Sequence, residues 1–254
     1  MILLRSIKNQ SGLSKMFKKI RKLPEGTINR IAAGEVVERP FSVVKELVEN
    51  AIDADATRID ITLGSGGKSL IIVNDNGLGM TPEDMSLAIE RHATSKLPEG
   101  DGGDRLFRVS SLGFRGEALP SIGAVSKMTI TSRPVQNQPS IEENNINSAM
   151  QLEIIAGKVG NLKPTSGAQG TRIEVRDLFF ATPARLKFLK SDRAETTAVG
   201  DVLRRLAMAY PKVGFSLTSD GRRSFAVTAE PDGSDASRLN RLAAVMGQEF
   251  GSNA

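Results

Sequence analysis

Two polar residues, Glu46 and Asn50, are spaced so that they could carry out chemistry from one helical face. They lie four residues apart in a segment whose apolar residues recur at three- and four-residue spacing, so a helix would project both side chains from one side, one turn apart. The carboxylate could take a proton from an attacking water. The amide oxygen could bind Mg²⁺, which prefers oxygen ligands and bridges to phosphates. Taken alone, the pair favours the plainer interpretation of a solvent-exposed polar face.

A third candidate, Asp75, lies two residues after the end of the apolar run 70–73 and precedes Asn76-Gly77-Leu78-Gly79. A carboxylate at the end of a strand can accept a hydrogen bond from an exocyclic amine, and glycines let the backbone approach a flat ring closely. A plain Asp-Asn-Gly turn explains the same residues equally well.

Two runs combine cations, hydroxyls and glycines: Arg-His-Ala-Thr-Ser-Lys at 91–96 and Gly-Phe-Arg-Gly-Glu at 113–117. Glycines ahead of a helix that begins near Glu117 would expose backbone N–H groups toward an anion, and a polyphosphate would suit them. His92 is also explained by a place at a helix C-terminus, where it would interact with the helix dipole.

The run Gly-Ser-Gly-Gly-Lys-Ser at 64–69 looks like the end of a phosphate-binding P-loop but has the wrong spacing. The motif requires a glycine where the chain has Thr62. A dinucleotide fingerprint fails too, because its third glycine would fall at Ser69. The run therefore predicts a hairpin turn between two strands.

The hydrophobic pattern predicts the elements that would position these residues. Helices are expected at 29–37, 40–54 (opened by Pro40 and Ser42), 81–91 (capped by Thr81), 184–190, 193–210 and from 238; strands are expected at 57–63, 69–73, 125–133, 152–155, 171–178, 215–218 and 224–228. A long loop with short helical pieces is expected at residues 97–119. A polar, disordered hairpin tip is expected at residues 134–149. Because neighbouring strands are often joined by hairpin-length links, the predicted fold class is α+β, a two-layer sandwich with helices on one face of a mixed sheet.

Composition narrows the chemistry. The absence of cysteine from the 254 residues excludes disulfides, zinc–thiolate sites, iron–sulfur clusters and thiol nucleophiles, and the single histidine excludes multi-histidine metal sites. With no tryptophan and 4% aromatic residues, an aromatic platform for single strands is disfavoured. No apolar run reaches the ~18 residues that a membrane-spanning helix needs.

The net charge of +5 comes from the first 24 residues, which hold seven basic and no acidic side chains. The remainder has 27 basic against 29 acidic residues, so bulk charge is a poor argument for nucleic-acid binding. The basic segment could be an organelle transit peptide, a phosphate-binding arm or an upstream extension with Met16 as an internal start. The last of these is the favoured interpretation.

In this order, the runs resemble the GHKL ATPase superfamily and, within it, the MutL family of DNA mismatch repair proteins. The resemblance rests on residues 31–40, 44–50, 53–54, 91–96, 113–119, 178–180, 182–185 and 187–188. It extends from about Leu23 to the last residue, apart from the insert at 134–149. A chaperone or kinase of the same superfamily is disfavoured by the runs at 91–96 and 113–119.

The resemblance implies an ATPase that binds ATP with Mg²⁺ and hydrolyses it slowly. It implies Glu46 as the general base, Asn50 as the Mg²⁺ ligand and Asp75 as the adenine anchor. Further nucleotide-binding residues implied in this way are Asp53, Gly77, Gly79, Met80, Thr94, Ser95, Lys96, Leu112, Gly113, Phe114, Arg115, Gly116, Glu117 and Thr171.

The resemblance also implies an organisation and a set of partners. The expected domains are a basic extension at 1–22, an ATPase domain at 23–230 with a lid at about 91–119, and at 231–254 the beginning of a truncated second domain of the ribosomal S5 domain 2 type. The implied partners are a second copy of the chain in an ATP-dependent N-terminal dimer, a MutS-like mismatch sensor, a downstream nuclease or helicase, and weakly bound DNA. No membrane is expected, and the implied location is the bacterial cytoplasm near the nucleoid, with organelle targeting by residues 1–22 left open.

One alternative comes from the incomplete second domain: a nucleic-acid-binding fragment that binds ATP without turning it over. Its footprint would be Arg185, Lys187, Lys190, Arg193, Arg204 and Arg205. A solvent-exposed helix face is the favoured explanation of these cations, because Asp192, Glu195 and Asp201 are interleaved with them.

Overall fold

The computed structural model describes residues 20–96, 112–113, 116–135 and 148–247. The helices are α1 (Glu25–Val36), α2 (Pro40–Asp53), α3 (Pro82–Leu87), α4 (Ala118–Val125), α5 (Asp192–Ala209) and α6 (Asp235–Met246). The strands are β1 (Arg58–Gly64), β2 (Leu70–Asp75), β3 (Lys127–Arg133), β4 (Ala149–Ile155), β5 (Lys158–Val159), β6 (Lys163–Thr165), β7 (Gly170–Arg176), β8 (Gly214–Ser219) and β9 (Arg222–Val227). Short 3₁₀ segments cover Ser65–Gly67 and Pro183–Phe188.

Within these residues the strands form one mixed sheet in the order β5-β4-β3-β7-β2-β1-β8-β9, with β6 paired to β4. The pair β1–β8 is parallel and the other pairs are antiparallel. This order places β7 beside β2, although about 100 residues separate them in the chain. The ends of β2 and β7 therefore meet at one edge of the sheet.

The helices α2, α4 and α5 pack against one face of the sheet, where each strand places its alternate apolar residues. Val44, Leu47 and Val48 of α2 are buried against Ile61, Ile71 and Val73 in the same core. The other face is polar: β7 carries Arg172, Glu174 and Arg176 on it, joined by ion pairs. The predicted α+β architecture is thereby confirmed. Of the helices in the described parts of the chain, none combines the length and apolarity needed to cross a bilayer.

The hairpin expected at residues 64–69 is present, as a turn between the antiparallel strands β1 and β2. Thr81 caps α3 as predicted, in a capping box with Asp84. The helix predicted at 81–91 is too long, however. It ends at Leu87, and at His92 the backbone adopts a left-handed φ of 66°, which redirects the chain toward α2.

Several predicted boundaries were wrong because packing overrode local pattern. Helix α1 begins at Glu25 rather than 29, and α2 begins at Pro40 with Arg39 at the N-cap, so Ser42 is not its cap. The helix predicted at 184–190 is a 3₁₀ segment. The polar insert predicted at 134–149 ends earlier than expected, because Ala149 is buried at the beginning of β4. Residues 136–147 of this insert lie outside the described residues.

Helix α6, in the segment expected to begin a second domain, is anchored by a buried arginine. The Arg241 guanidinium donates to the backbone carbonyls of Ala207, Tyr210, Pro211, Val213 and Thr228. These carbonyls belong to the end of α5, the loop after it, and the chain following β9. Burial lowers the pKa of Arg241, and the five acceptors compensate for the desolvation of its charge. The expected domain boundary at residue 230 stays a prediction.

Candidate functional site

Helix α2 presents its polar residues on the side away from the core. Val43, Val44, Leu47, Val48 and Ala51 are buried, which leaves the opposite stripe to the candidate residues predicted from sequence. The Glu46 side chain is 31% exposed. Asn50 and Asp53 follow on the same side of the helix and are partly buried. The predicted pairing of a carboxylate with an amide on one helical face is therefore present in the structure.

The beginning of α2 is held in place by an ion pair that the sequence did not reveal. Arg39, at the N-cap, donates through Nε and Nη2 to the carboxylate of Glu195 on α5, at 3.0 Å for the shortest contact. Glu195 is fully buried and also accepts the backbone N–H of Lys190 at 2.8 Å. Removing one partner of such a pair leaves an uncompensated buried charge, so this contact fixes α2 relative to α5.

Lys45 lies between two carboxylates on the neighbouring stripe. Its Nζ is 2.9 Å from Glu49 Oε2 and 3.6 Å from Glu46 Oε1. Burial by itself would lower the pKa of Lys45, but the interactions with Glu49 and Glu46 outweigh burial and raise it. The Lys45 ammonium therefore places a positive charge next to the Glu46 carboxylate.

At the C-terminal end of α2, Lys96 reaches both oxygen-bearing side chains. Its Nζ donates to Asn50 Oδ1 at 2.7 Å and to Asp53 Oδ2 at 2.5 Å. The other Asp53 oxygen, Oδ1, accepts the backbone N–H of Leu112 at 3.1 Å. Four residues from three parts of the sequence therefore meet at the end of one helix, and Gly113 follows Leu112 in the chain.

The two runs expected to form a lid lie against each other. The His92 N–H donates to the Gly116 carbonyl at 3.2 Å, and His92 Nδ1 is 3.6 Å from Glu117 Oε1. Gly116 has a φ of 59°, and a Cβ there would lie 2.3 Å from the Ala93 carbonyl oxygen, so only glycine fits. Thr94 Oγ1 accepts the N–H of Lys96 at 3.1 Å.

The remaining residues that were expected in the lid have few contacts to report. Ser95 is exposed, and Phe114 and Arg115 lie outside the described residues. Arg91 donates to the Asn29 carbonyl of α1 at 3.2 Å, so the beginning of the run contacts the first helix.

The second part of the site is built around Asp75, which is 8% exposed at the end of β2. Its Oδ1 accepts the N–H of Gly77 at 2.9 Å and that of Thr171, on β7, at 3.2 Å. Burial raises the pKa of Asp75, and these two hydrogen bonds oppose the rise. Among the described residues, every hydrogen bond to this carboxylate ends on Oδ1, so Oδ2 is available to accept a bond from a ligand.

The glycines around Asp75 lie so close to backbone carbonyls of other segments that a side chain would not fit. A Cβ on Gly77 would lie 2.4 Å from the Ala54 carbonyl oxygen, and one on Gly79 would lie 2.2 Å from that of Arg133. At Gly170, with a φ of 103°, a Cβ would lie 2.2 Å from the Asp75 carbonyl oxygen. At these glycines the groups that approach closely are carbonyls of the protein's own chain, and the expected approach of backbone to a flat ring stays a prediction.

Ser132 on β3 was missed by sequence reasoning. Its Oγ accepts the N–H of Met80 at 2.9 Å, lies 2.9 Å from Thr171 Oγ1, and donates to the Gly170 carbonyl at 3.1 Å. One feature of the sequence could have identified it. Ser132 shares the buried face of β3 with Met128 and Ile130, and a polar residue at such a position is unusual.

The two parts of the site are joined through the end of α2. Leu78 N donates to the Ala54 carbonyl at 2.9 Å, and Gly77 packs on the same residue. Asn76, between Asp75 and Gly77, accepts the N–H groups of Thr57 and Arg58. The loop after β2 is thus tied both to α2 and to the beginning of β1.

The basic residues suggested as a nucleic-acid footprint are partly engaged within the protein. Arg185 donates to the Gly34 carbonyl at 3.1 Å and lies over the Phe179 ring. Arg204 pairs with Asp201 at 2.9 Å and lies over the Phe225 ring. These contacts favour a structural explanation for the two arginines.

A sequence profile of the histidine kinase-, DNA gyrase B- and HSP90-like ATPases matches residues 38–165. The DNA mismatch repair protein MutL of Paramagnetospirillum magneticum is 55% identical over 235 residues, covering 92% of this chain and 37% of the relative. That of Caulobacter vibrioides is 53% identical over 238 residues, covering 92% of this chain and 36% of the relative. The chain therefore spans a little over a third of the length of these relatives.

Among solved structures, the MutL ATPase domain of Aquifex aeolicus complexed with ADP superposes with a TM-score of 0.64 at 32% identity. The match covers 83% of this chain and 70% of that one. The chain therefore belongs to the MutL family of DNA mismatch repair proteins and carries the family's ATPase domain.

Proposed function

We propose that this domain binds the adenine of ATP at Asp75 and the phosphates, with Mg²⁺, at the end of α2. The observation that carries the proposal is the buried Asp75 carboxylate, whose Oδ1 is taken by two backbone amides and whose Oδ2 is available. Such a group accepts a hydrogen bond from the exocyclic amine of adenine and disfavours guanine, which presents an oxygen at the same position.

The residues at the phosphate end suit a magnesium nucleotide. Asn50 Oδ1 already accepts from a cation, the Lys96 ammonium, at 2.7 Å, so this oxygen faces a position where positive charge is stabilised. Among the described residues no group of three or more His, Cys, Asp or Glu side chains could hold a metal ion. A Mg²⁺ ion would accordingly be held by Asn50 together with phosphate oxygens and water, as is usual for this ion.

For hydrolysis, Glu46 is the proposed general base. It lies one turn before Asn50 on the same face of α2, it is accessible to water, and the Lys45 ammonium lies 3.6 Å from its Oε1. Glu46 would orient a water and take its proton as the water attacks the γ-phosphate in line with the leaving oxygen. When bound, Mg²⁺ would neutralise charge that develops on the phosphate oxygens. Lys96 and the backbone around Leu112 and Gly113 would contact the phosphates.

The wider function proposed is that of an ATP-driven dimerisation switch in mismatch repair. The proposed partners are a second copy, a MutS-like sensor, a nuclease or helicase and, weakly, DNA, in the bacterial cytoplasm. On α1, Ile28 and Ile31 are 44% and 61% exposed on one side of the helix. Arg91, in the proposed lid, and Arg185, in the 3₁₀ segment at 183–188, donate to carbonyls of this helix, so Arg91 links the position of α1 to the lid. The exposed apolar surface formed by Ile28 and Ile31 on α1 could pack against a second copy of the chain.

The experiment is a calorimetric titration of this chain with ATP and with GTP, each with and without Mg²⁺. We expect ATP to bind at least about tenfold more tightly than GTP, since losing a hydrogen bond to a charged group costs about 1.5–3 kcal/mol. Steady-state hydrolysis and sedimentation with a non-hydrolysable analogue would be measured on the same samples. Equal affinities for ATP and GTP would reject Asp75 as the adenine anchor, and a chain that stays monomeric with the analogue would reject the dimerisation switch for this chain.

A further inference from the structure

The Lys96 ammonium contacts Asn50 Oδ1, the oxygen that is the proposed metal ligand. Its Nζ lies 2.7 Å from Asn50 Oδ1 and 2.5 Å from Asp53 Oδ2. The Lys96 and Asp53 side chains are only 20% and 13% exposed, so this contact is shielded from solvent on most sides. A charge-assisted contact of this geometry is stronger than an ordinary surface ion pair.

Backbone contacts hold the lysine in this place. Thr94 Oγ1 accepts the N–H of Lys96 at 3.1 Å, and Asp53 binds the N–H of Leu112 through its second oxygen at 3.1 Å. One carboxylate therefore contacts the ammonium with one oxygen and the backbone of Leu112 with the other. Glu49, which precedes Asp53 by one turn on α2, is paired with Lys45. Asp53 and Glu49 are therefore each paired with a different lysine.

We infer that Lys96 is an internal competitor of the metal: its ammonium must leave Asn50 Oδ1 before Mg²⁺ can bind there. This rests on the proposed function, in which Asn50 is the metal ligand. A Mg²⁺ ion binds oxygen at about 2.0–2.1 Å, and two cations that share one amide oxygen would repel each other strongly at this separation. Metal without nucleotide is therefore held weakly, whereas the phosphates of a magnesium nucleotide both add ligands for the ion and accept the displaced ammonium.

The exchange keeps charges paired in both states. Without nucleotide, Lys96 neutralises Asp53. With a magnesium nucleotide, Asn50 would hold the metal, and the lysine would be free to pair with a phosphate. Lys96 thus links metal binding to the placement of a phosphate ligand, and it does so without leaving Asp53 buried and unpaired.

The test is a titration of the nucleotide-free chain with Mn²⁺, followed by the electron paramagnetic resonance signal of the free ion. We expect Lys96→Met to bind Mn²⁺ at least about fivefold more tightly than the wild type, because Asn50 and Asp53 are released. Lys68→Met is the matched control: it removes the same charge from a lysine paired with Asp192 and should bind Mn²⁺ as the wild type does. Adding Asn50→Ala to Lys96→Met should abolish the gain. Equal affinity in Lys96→Met and wild type, or an equal gain in Lys68→Met, would overturn the inference.

A second measurement keeps the inference testable if Lys96→Met does not fold. The rate of acetylation of Lys96 by an amine-reactive reagent, quantified by peptide mass spectrometry, should rise several-fold in Asn50→Ala, while the rate at Lys68 stays constant. An unchanged rate at Lys96 would contradict the contact. Neither measurement uses nucleotide, so a failure of ATP to bind in calorimetry would count against the proposed function alone.

Discussion

The two ends of the candidate site are built in different ways. The proposed adenine end is formed by strands: Asp75 ends β2, Thr171 lies on β7 and Ser132 on β3, and the three are joined by hydrogen bonds between buried groups. The proposed phosphate end is formed by charged side chains at the end of α2, where Lys96 bridges Asn50 and Asp53.

This difference assigns different tasks to the two ends. Sheet backbone is held by ladder hydrogen bonds on both sides, so the adenine end is formed before any ligand arrives. Contacts at the phosphate end are ionic and can be exchanged for others of equal charge. In the proposed function, the rigid end would select the base and the exchangeable end would allow metal and phosphates to enter.

The largest effect is expected at the phosphate end, from Glu46→Ala. Loss of a general base should slow ATP hydrolysis by about 10²–10⁴-fold, while the Kd for a non-hydrolysable ATP analogue changes little. Steady-state phosphate release and calorimetry measure the two quantities. Glu38→Ala removes an exposed glutamate just before α2 and serves as the control. Undiminished hydrolysis in Glu46→Ala would exclude Glu46 as the base.

At the adenine end, Asp75→Asn should weaken ATP binding. The amide cannot supply a charged acceptor, so a loss of about 1.5–3 kcal/mol is expected, roughly 10- to 100-fold in Kd. Calorimetric titration would measure it. Asp60→Asn is the control, because Asp60 lies on the polar face of β1 and contacts Arg58 and Ser216. Normal affinity in Asp75→Asn would show that the rigid end does not select the base.

Glycine replacements compare the rigidity of the two ends directly. Gly170→Ala places a Cβ 2.2 Å from the Asp75 carbonyl oxygen at a φ of 103°, and should lower the free energy of unfolding by about 1–3 kcal/mol. Among the described residues, the atom nearest to a Cβ on Gly113 would be Lys96 Nζ at 3.4 Å, an ordinary contact, so Gly113→Ala should change stability little. Urea denaturation measures both variants. Equal losses would contradict the contrast between a rigid and an exchangeable end.

The smallest effect expected is a pH dependence from Asp75. Burial raises its pKa in the folded state, so its contribution to stability is present below the unfolded pKa and is lost as pH rises through the folded pKa. Affinity for adenosine, which has no phosphates, should fall as pH drops through that raised pKa, because the protonated carboxyl accepts less well. Calorimetry with adenosine at several acid pH values would detect a few-fold change, which Asp75→Asn should remove. If adenosine affinity depends on pH in the same way in the wild type and in Asp75→Asn, a group other than Asp75 is responsible.

Sequence reasoning predicted the helix face of α2 and the position of Asp75 because both depend on local spacing. Periodicity of apolar residues determines which side of a helix faces the core, and it placed Glu46 and Asn50 together correctly. It could not predict that Arg39 is held by Glu195, since 156 residues separate them. The same limit applies to Arg241, whose five carbonyl partners are 13 to 34 residues distant and mostly on other elements.

Some errors had a common physical cause. The helix predicted at 81–91 ends at Leu87, and the residues after it lead to His92, which adopts a left-handed φ and donates its N–H to the Gly116 carbonyl; local pattern contains no sign of that partner. Residues 184–190 have helix-favouring composition but form a 3₁₀ segment whose Arg185 contacts α1. In both cases a tertiary contact overrode local propensity.

By itself, the sequence determined the residue types that the chemistry needs and their spacing along single elements: a carboxylate and an amide one turn apart, an aspartate at a strand end, and glycines beside it. Only the tertiary structure decided which of them meet. The sheet order brings β7 and β3 to Asp75, and the turn at His92 brings Lys96 onto Asn50. Short-range spacing follows from helix and strand geometry, whereas contacts across 46 or 96 residues depend on how the whole chain packs around one core.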